Sequence, residues 1–329
     1  MICAETLAGD RLLRTIYSEV RERSPWVYRM ATGPVATRTL GAIMYGGLPC
    51  VAVRNPVARM KALGMEPGEC LNDPKKFRTA REIFERKIRY WEYRSLCRGT
   101  REVASPSDSR VLVGSLSEQK QFFLKEKFFR LEELLGEDRT GLTERFEGGD
   151  FAIFRLTPEK YHYNHVPVSG VVREIYELGG RFHSCNPGAV LSEVTPYGKN
   201  KRVVTLIDTD VPGGTEVGLV AMVEVVAMMI GKIVQCYSEY AYDNPRRIEP
   251  EMFLRKGQPK SLFMPGSSTN VLIFEKGRVK FAPDLVRNQR RSDVHSRFTL
   301  GFEVPLAETD IKVRSLLAVA NESFEGAKT

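Results

Sequence analysis

The sequence holds few of the residues from which metal and redox centres are built. Its 329 residues include four histidines, two tryptophans and six cysteines. The cysteines stand at positions 3, 50, 70, 97, 185 and 236, and no two of them have Cys-x-x-Cys spacing. A zinc site or a dithiol redox motif is therefore not expected, and the thiols are expected to be reduced in a cytosolic compartment.

The sequence also lacks an apolar run of the roughly 20 residues needed to span a bilayer. The uncharged run 39–53 is too short, and Glu224 interrupts the more apolar stretch 217–230. Because 217–230 is rich in β-branched residues, it predicts a buried strand. The first residues, MICAETLAGDR, show no basic segment followed by an apolar one, so no secretory signal is expected.

Positive charge is in excess, with a net charge of +8 and a pI of about 9.1. The stretch from Asp73 to Arg101 holds ten Lys or Arg against four Asp or Glu, and it includes Trp91. Such a surface attracts nucleic acid, anionic lipid or phosphate-bearing substrates. Nucleic acid is the weakest of these hypotheses, because the sequence shows no helix-turn-helix, zinc-finger or RNP-type motif. A solvated helix held by ion pairs would explain the same charges.

The patterning predicts an α+β protein with a helical N-terminal region, 1–100, followed by a β-rich, mostly antiparallel catalytic core, 101–329. Ile83, Phe84, Ile88 and Trp91 recur at helical spacing, and Glu82–Arg86 and Glu85–Arg89 have the order of stabilising i,i+4 pairs. After Ser105-Pro106, short β-rich runs alternate with turn signals. The predicted strands are 110–116, 151–156, 166–178, 202–208, 216–226 and 270–275.

Two histidines lie close together in the segment YHYNH, at His162 and His165. Thr157-Pro158 predicts a short helix start, and a helix that continued would place both histidines on one face. Histidine exchanges protons near neutral pH, which suits acid–base catalysis, although buried structural histidines are equally compatible with the pattern. No third ligand with suitable spacing lies nearby, so no metal is expected.

Two other segments carry hydroxyls and a carboxylate. SPSDS (105–109) is ordinary turn chemistry, and its Asp108 is either a turn residue or a carboxylate that orients a histidine. GSST (266–269) contains Ser267 and Ser268 and leads directly into the apolar run VLIF. Taken alone, each of these segments is a weak signal of catalysis.

Together and in this order, the three segments resemble the phosphatidylserine decarboxylase family. That family has Ser-Pro-x-Asp-Gly, then Tyr-His-x-x-His, then Gly-Ser-Thr before an apolar strand, and the similarity extends from about residue 77 to the C-terminus. The sequence departs from the pattern at Ser109, where the family has glycine, and in having GSST instead of a plain Gly-Ser-Thr. Residues 1–70 match poorly.

The resemblance implies a proenzyme that cleaves itself between Ser267 and Ser268 into chains 1–267 and 268–329, which stay associated. Ser268 would become a covalent pyruvoyl cofactor, with Ser267 as the rival position. His165 resembles the family's catalytic base, and Asp108 resembles the carboxylate that orients that base. His162 resembles the histidine that the family uses in the decarboxylation step. The substrate amine would form a Schiff base with the pyruvoyl carbonyl, which acts as an electron sink for loss of CO₂.

The implied function is conversion of phosphatidylserine to phosphatidylethanolamine by a cytoplasmic protein peripherally associated with a membrane. Basic residues near anionic headgroups contribute about 1 kcal/mol each, which makes the stretch 73–101 a candidate contact. Two alternatives are decarboxylation of a soluble, for instance aromatic, amino acid and a non-enzymatic anion-binding protein. The sequence does not determine the oligomeric state, and a homo-oligomer is compatible with it.

Overall fold

The structure is a computed structural model that describes residues 53–117, 128–180, 195–229, 232–294, 296, 298–299 and 303–322. Predictions for residues 1–52, which include most of the uncharged run, lie outside these ranges. The predicted α+β class is confirmed, since antiparallel sheets dominate and short helices cover them.

The strands of the described residues fall into three antiparallel sheets. Their bounds are β1 Glu102–Ala104, β2 Ser109–Ser115, β3 Asp150–Leu156, β4 Tyr163–His165, β5 Gly170–Leu178, β6 Arg202–Asp208, β7 Leu219–Met229, β8 Ile233–Gln235, β9 Phe253–Leu254, β10 Pro259–Phe263, β11 Gly266–Phe274, β12 Val279–Phe281, β13 Thr309–Ile311 and β14 Leu316–Ala320. Eight strands form the central sheet in the order β13-β2-β3-β11-β7-β6-β5-β9. The two small sheets have the orders β1-β14-β12 and β4-β10-β8.

Strand β11 lies near the middle of the central sheet, between β3 and β7. Its alternate side chains enter two different cores, as the pleat of a strand requires. Leu272 and Phe274 belong to the core that also contains residues of β1, β12 and β14. Val271 and Ile273 belong to the core on the other face, which helices cover. All four side chains are completely buried, so β11 is held from both sides.

The α-helices are short, and most of them flank the sheets. Their bounds are α1 Pro56–Ala62, α2 Ala80–Phe84, α3 Tyr90–Tyr93, α4 Leu131–Leu135, α5 Thr140–Phe146, α6 Pro196–Lys199 and α7 Pro283–Gln289. Two 3₁₀ turns lie at Pro67–Glu69 and Pro74–Lys76. Leu131, Leu134 and Leu135 of α4 are buried and help to cover the second core.

The predicted helix through Ile83, Phe84, Ile88 and Trp91 is interrupted. Helix α2 ends at Phe84, and α3 begins only at Tyr90. Between them Ile88 donates its N–H to the Tyr242 hydroxyl and accepts a hydrogen bond from that same hydroxyl. These tertiary hydrogen bonds replace the helical ones, and helix propensity yields to them.

The two predicted ion pairs of this stretch are also wrong. Glu82 caps helix α2 in a capping box with Thr79, while Glu85 pairs with Arg81. Arg89 pairs with Glu92 instead of Glu85. The remaining partner, Arg86, reaches a main-chain carbonyl outside the helix. The break in the helix separates the residues that the i,i+4 spacing would have brought together.

Candidate active site

A single side-chain amide joins the three segments singled out in the sequence. Asn270 lies on β11, and its Nδ2 donates to Ser107 Oγ at 3.2 Å and to Asn164 Oδ1 at 2.8 Å. Ser107 belongs to the SPSDS turn, and Asn164 stands between the two histidines. A backbone bond from His165 N to Pro106 O, 2.8 Å long, joins the same two segments. The fold therefore gathers residues that are up to 163 positions apart in sequence.

Ser268 lies at the start of the regular part of β11. Its backbone is paired with Leu156 of β3 on one side and with Val226 of β7 on the other. The ladder with β7 shifts register between Gly266 and Ser268, and pairing with β3 begins only at Ser268. The peptide between Ser267 and Ser268 therefore lies at a ladder irregularity, a feature common beside active sites.

The Ser268 side chain is 1% exposed, and its Oγ has no hydrogen-bond partner. Leu156, Val226 and Phe263 form a small apolar cluster beside this residue. A buried hydroxyl without a partner is costly and occurs where chemistry needs a free nucleophile more often than in an ordinary core. The structure thus presents Ser268 Oγ free of competing hydrogen bonds.

His165 is completely buried on β4, and its two ring nitrogens have different partners. Nδ1 lies 2.8 Å from Gly257 O, and Nε2 lies 3.1 Å from the Tyr161 hydroxyl. Because a carbonyl can only accept, Nδ1 carries the proton and Nε2 accepts from Tyr161. Burial, the largest cause, lowers the pKa of His165 from 6.5 to about 3. The ring is therefore neutral at pH 7, with its basic nitrogen on the Tyr161 side.

His162 has a different environment. Its ring stacks on Phe84 at 3.6 Å between centroids with an interplanar angle of 26°. Neither ring nitrogen has a hydrogen-bond partner, and the residue is 1% exposed. Burial, followed by the nearby charge of Arg86, holds the pKa of His162 well below 6.5. His162 is thus a second neutral imidazole.

Arg86 is the cation beside His162. Its guanidinium donates to the carbonyl oxygens of Ile83, at 3.2 Å, and Glu159, at 2.7 Å. The side chain is 7% exposed, and no carboxylate among the described residues forms an ion pair with it. A buried cation that is not neutralised by a carboxylate has capacity to bind an anion.

Asp108 does not hydrogen-bond to His165, contrary to the expected base–carboxylate arrangement. Its carboxylate receives Arg94 Nε and Nη2, at 2.9 and 2.7 Å, and the Val313 N–H at 2.8 Å. Arg94 also binds Glu69, at 2.8 Å, so one guanidinium joins two acids. The fork geometry of arginine explains the preference, since it fits a carboxylate in two places at once. The role of Asp108 in the reaction stays a prediction.

The short helix predicted at 157–160 is wrong, and no helix continues through the histidines. Residues 157–160 form a turn, and Tyr163–His165 is strand β4, which is paired with Ser261 and Leu262 of β10. Since the histidines are not on one helix, i,i+3 spacing does not place them side by side. Ser268 Oγ hydrogen-bonds to neither histidine. The catalytic roles of Ser268, His165 and His162 stay predictions from the family pattern.

Within the described residues no group of three His, Cys, Asp or Glu side chains is arranged to hold a metal ion. In the same residues no helix combines the length and the apolarity that crossing a bilayer demands.

Comparison with known proteins supplies the class. A sequence model named "Phosphatidylserine decarboxylase" matches residues 80–299. The chain is 30% identical to a phosphatidylserine decarboxylase proenzyme of Fusobacterium nucleatum over 217 residues, which are 64% of this chain and 66% of the relative. It is 33% identical to proenzyme 2 of Oryza sativa subsp. japonica over 68% of this chain and 33% of the relative. It is 30% identical to the phosphatidylserine decarboxylase proenzyme of Chlamydia pneumoniae over 79% of this chain and 80% of the relative.

These relatives are all named phosphatidylserine decarboxylase proenzymes. The chain belongs to the phosphatidylserine decarboxylase family, as the order of the three sequence segments indicated. The chain spans just under two thirds of the Fusobacterium relative and about one third of the rice relative.

Proposed function

We propose that this chain is a proenzyme that cleaves itself between Ser267 and Ser268 and then decarboxylates phosphatidylserine to phosphatidylethanolamine. The observation that carries the proposal is the Asn270 amide, which joins the SPSDS turn and the histidine strand to the strand of Ser268. Residues of one strand that are two apart share a face, so Ser268 lies on the same face of β11 as Asn270.

The first reaction is an attack on the chain's own backbone. Ser268 Oγ loses its proton and bonds to the Ser267 carbonyl carbon, and the Ser267–Ser268 amide bond breaks to leave an ester. Removal of the Ser268 α-proton then expels the Ser267 carboxylate, and hydrolysis of the remaining enamine releases ammonia. A serine hydroxyl needs a base for this attack, and a neutral imidazole such as His165 can accept the proton.

His165 can serve as that base only if its Nε2 is freed from the Tyr161 hydroxyl. The Tyr242 proton is donated to Ile88 O, so the Tyr242 oxygen, 2.6 Å away, is an alternative acceptor for the Tyr161 proton when that proton turns away from the imidazole. Catalytic hydrogen bonds are often absent before the reacting geometry forms. The proposed role of His165 therefore requires the Tyr161 proton to turn from His165 to Tyr242.

The residues around Ser268 fit the pyruvoyl group that the family implies. The group is built from the serine's own atoms, and Leu156, Val226 and Phe263 provide apolar walls. Asn270 Oδ1, on the same face of β11, is buried without a hydrogen-bond partner. When present, this group supplies an α-keto carbonyl that withdraws electrons from the bond to CO₂. His162, a neutral imidazole, would relay a proton taken up from water to the carbon that loses CO₂.

Substrate binding in this proposal uses Arg86. An aminophospholipid brings a carboxylate and a phosphodiester, and Arg86 is a buried cation beside His162 without a carboxylate partner among the described residues. Arginine binds either group through paired N–H donors. Arg86→Lys keeps the charge and loses the planar fork, so we expect a raised KM with a smaller change in kcat.

Contact with a membrane surface is part of the same proposal. Trp91 and Tyr93 are each 38% exposed, and Tyr240 is 67% exposed. The rings of Trp91 and Tyr240 stack at 6.4 Å, and Arg89 lies over Tyr93. Tyr and Trp favour the lipid–water interface, and basic groups favour anionic headgroups.

The experiment that tests this function compares two substrates for the cleaved protein. We expect ¹⁴CO₂ release from carboxyl-labelled phosphatidylserine in vesicles and none from labelled free amino acids. Cosedimentation with anionic vesicles should weaken in Trp91→Ala/Tyr240→Ala. If CO₂ is released only from free serine or aromatic amino acids, and the protein does not cosediment with vesicles, the substrate is a soluble amino acid and the lipid proposal is wrong. No release from either would refute the enzymatic proposal.

A further inference from the structure

A fully buried ion pair lies between the central sheet and the small sheet that carries His165. Lys260 Nζ, on β10, is 2.7 Å from Glu224 Oε2, on β7, and both side chains are completely buried. Gln235 donates to the same carboxylate oxygen at 2.9 Å and accepts from Lys260 at 3.1 Å. Buried pairs contribute little net stability compared with apolar residues of similar size, so such a pair calls for another explanation.

The other oxygen of the carboxylate fixes a side-chain amide. Glu224 Oε1 accepts from Asn164 Nδ2 at 3.1 Å and from the hydroxyl of Ser261. An ionised carboxylate can only accept, so Asn164 must turn its NH₂ group toward Glu224 and its Oδ1 away. That Oδ1 is the atom that accepts from Asn270. Asn164 Nδ2 also donates to Ser261 Oγ at 3.0 Å, and the Ser261 hydroxyl in turn donates to Glu224. The carboxylate thereby sets the direction of the hydrogen bonds that follow, directly and through Ser261.

The chain of hydrogen bonds ends two residues from the proposed cleavage site. Asn164 is the neighbour of His165 on β4, and Asn270 lies two residues after Ser268 on the same face of β11. Asn270 passes its second N–H to Ser107 in the SPSDS turn. One continuous set of contacts thus runs from Lys260 and Glu224 to all three segments.

We propose that Glu224 and Lys260 are positioning residues for self-cleavage. The ionised carboxylate orients the Asn164 amide and so fixes the position of strand β11, which carries Ser268, relative to strand β4, which carries His165. This inference rests on the proposed function. Without the charge, Asn164 can present either its oxygen or its NH₂ group to Asn270, and only the oxygen can accept the N–H that Asn270 donates. A misalignment of about 1 Å is enough to slow a reaction about a hundredfold.

The test measures the rate of self-cleavage in freshly translated full-length chain, followed on denaturing gels by the appearance of fragments 1–267 and 268–329. Glu224→Gln should cleave about ten- to a hundredfold more slowly than the unmodified chain. The matched control is Glu308→Gln, which disrupts another buried pair, with Arg155 at 2.5 Å. The control should cleave at the unmodified rate, since no described hydrogen bond of Glu308 leads to Asn164 or Asn270.

A second variant separates positioning from stability. In Glu224→Gln/Asn164→Asp the carboxylate and the amide exchange places, and the oxygens of residue 164 again accept from Asn270. The carboxylate, however, no longer lies against Lys260. We expect cleavage to return to within about threefold of the unmodified rate. The urea midpoint of this double variant, measured with Ser268→Ala added, should stay below that of Ser268→Ala alone, because the buried ion pair is lost.

Each result has one meaning. If Glu224→Gln cleaves at the unmodified rate, or if rates follow urea midpoints across all variants including Glu308→Gln, the positioning role is wrong and the proposed function stands. If the unmodified chain does not cleave, the proposed function itself fails, and that failure is visible before any variant is compared.

Discussion

Acidification from pH 7.5 to pH 5.0 should destabilise the uncleaved protein, and His165 should account for a defined part of the loss. Burial lowers the pKa of His165 from 6.5 to about 3 in the folded chain. In the unfolded chain the imidazole is in water and titrates near 6.5. Between these two values the unfolded state binds a proton that the folded state does not, so stability falls as pH falls through this window.

The size of the effect follows from the same two values. Each pH unit within the window changes the free energy of unfolding by about 1.4 kcal/mol for one such group. From pH 6.5 to pH 5.0 the contribution of His165 is on the order of 2 kcal/mol. Above pH 6.5 both states are neutral at this position, so no further dependence on His165 is expected there.

The assay is urea unfolding at both pH values of two uncleavable chains, Ser268→Ala and Ser268→Ala/His165→Asn. The single variant should lose about 2 kcal/mol more between pH 7.5 and 5.0 than the double variant. His162 and all carboxylates are common to both chains, so their contributions cancel. Equal losses would refute the inference that His165 is buried and neutral. If the double variant does not fold, an NMR titration of the single variant decides, and a His165 midpoint near 6.5 contradicts the account.

Three further predictions concern the fold and the site. Arg94→Gln leaves the carboxylates of Asp108 and Glu69 without their shared cation, so we expect a loss of about 3 to 5 kcal/mol in urea unfolding; a loss below 1 kcal/mol would contradict it. Leu272→Ala opens a cavity in the middle of β11 and should cost about 2 to 5 kcal/mol by the same assay, and an unchanged midpoint would show that the strand is not held as described. Dialysis against EDTA should leave CO₂ release unchanged, whereas a loss restored by a divalent metal would disprove metal-free chemistry.

Much of the strand pattern could be predicted because burial imposes it locally. The run Arg202–Asp208 was predicted and is found with the same bounds, and the stretch 217–230 contains the whole of β7, as its β-branched residues indicated. Strand β11 begins four residues earlier than the predicted 270–275, since the small polar residues of GSST are drawn into the ladder by β3 and β7. The alternation of apolar and polar residues along a strand can be seen in the sequence itself. The strands with which it pairs cannot.

The contacts of the site could not be predicted in the same way, because they join residues distant in sequence. Asp108 was expected to bind a histidine and instead binds Arg94, whose planar fork is a better partner for a carboxylate. The sequence did contain one usable signal, the acidic Glu224 inside an apolar strand. A buried carboxylate requires a cation, and this one finds Lys260. Nothing in the sequence indicated that Asn164 and Asn270 would meet.

The most direct test of the central claim is the intact mass of the purified protein under denaturing conditions. The account predicts two fragments that correspond to residues 1–267 and 268–329, with the smaller one blocked to N-terminal sequencing. Ser267→Ala should give the same two-fragment pattern, and Ser268→Ala should give one uncleaved chain. A single full-length species that persists at neutral pH with anionic vesicles present would contradict self-cleavage, and a small fragment that begins at residue 267 would contradict the assignment of Ser268.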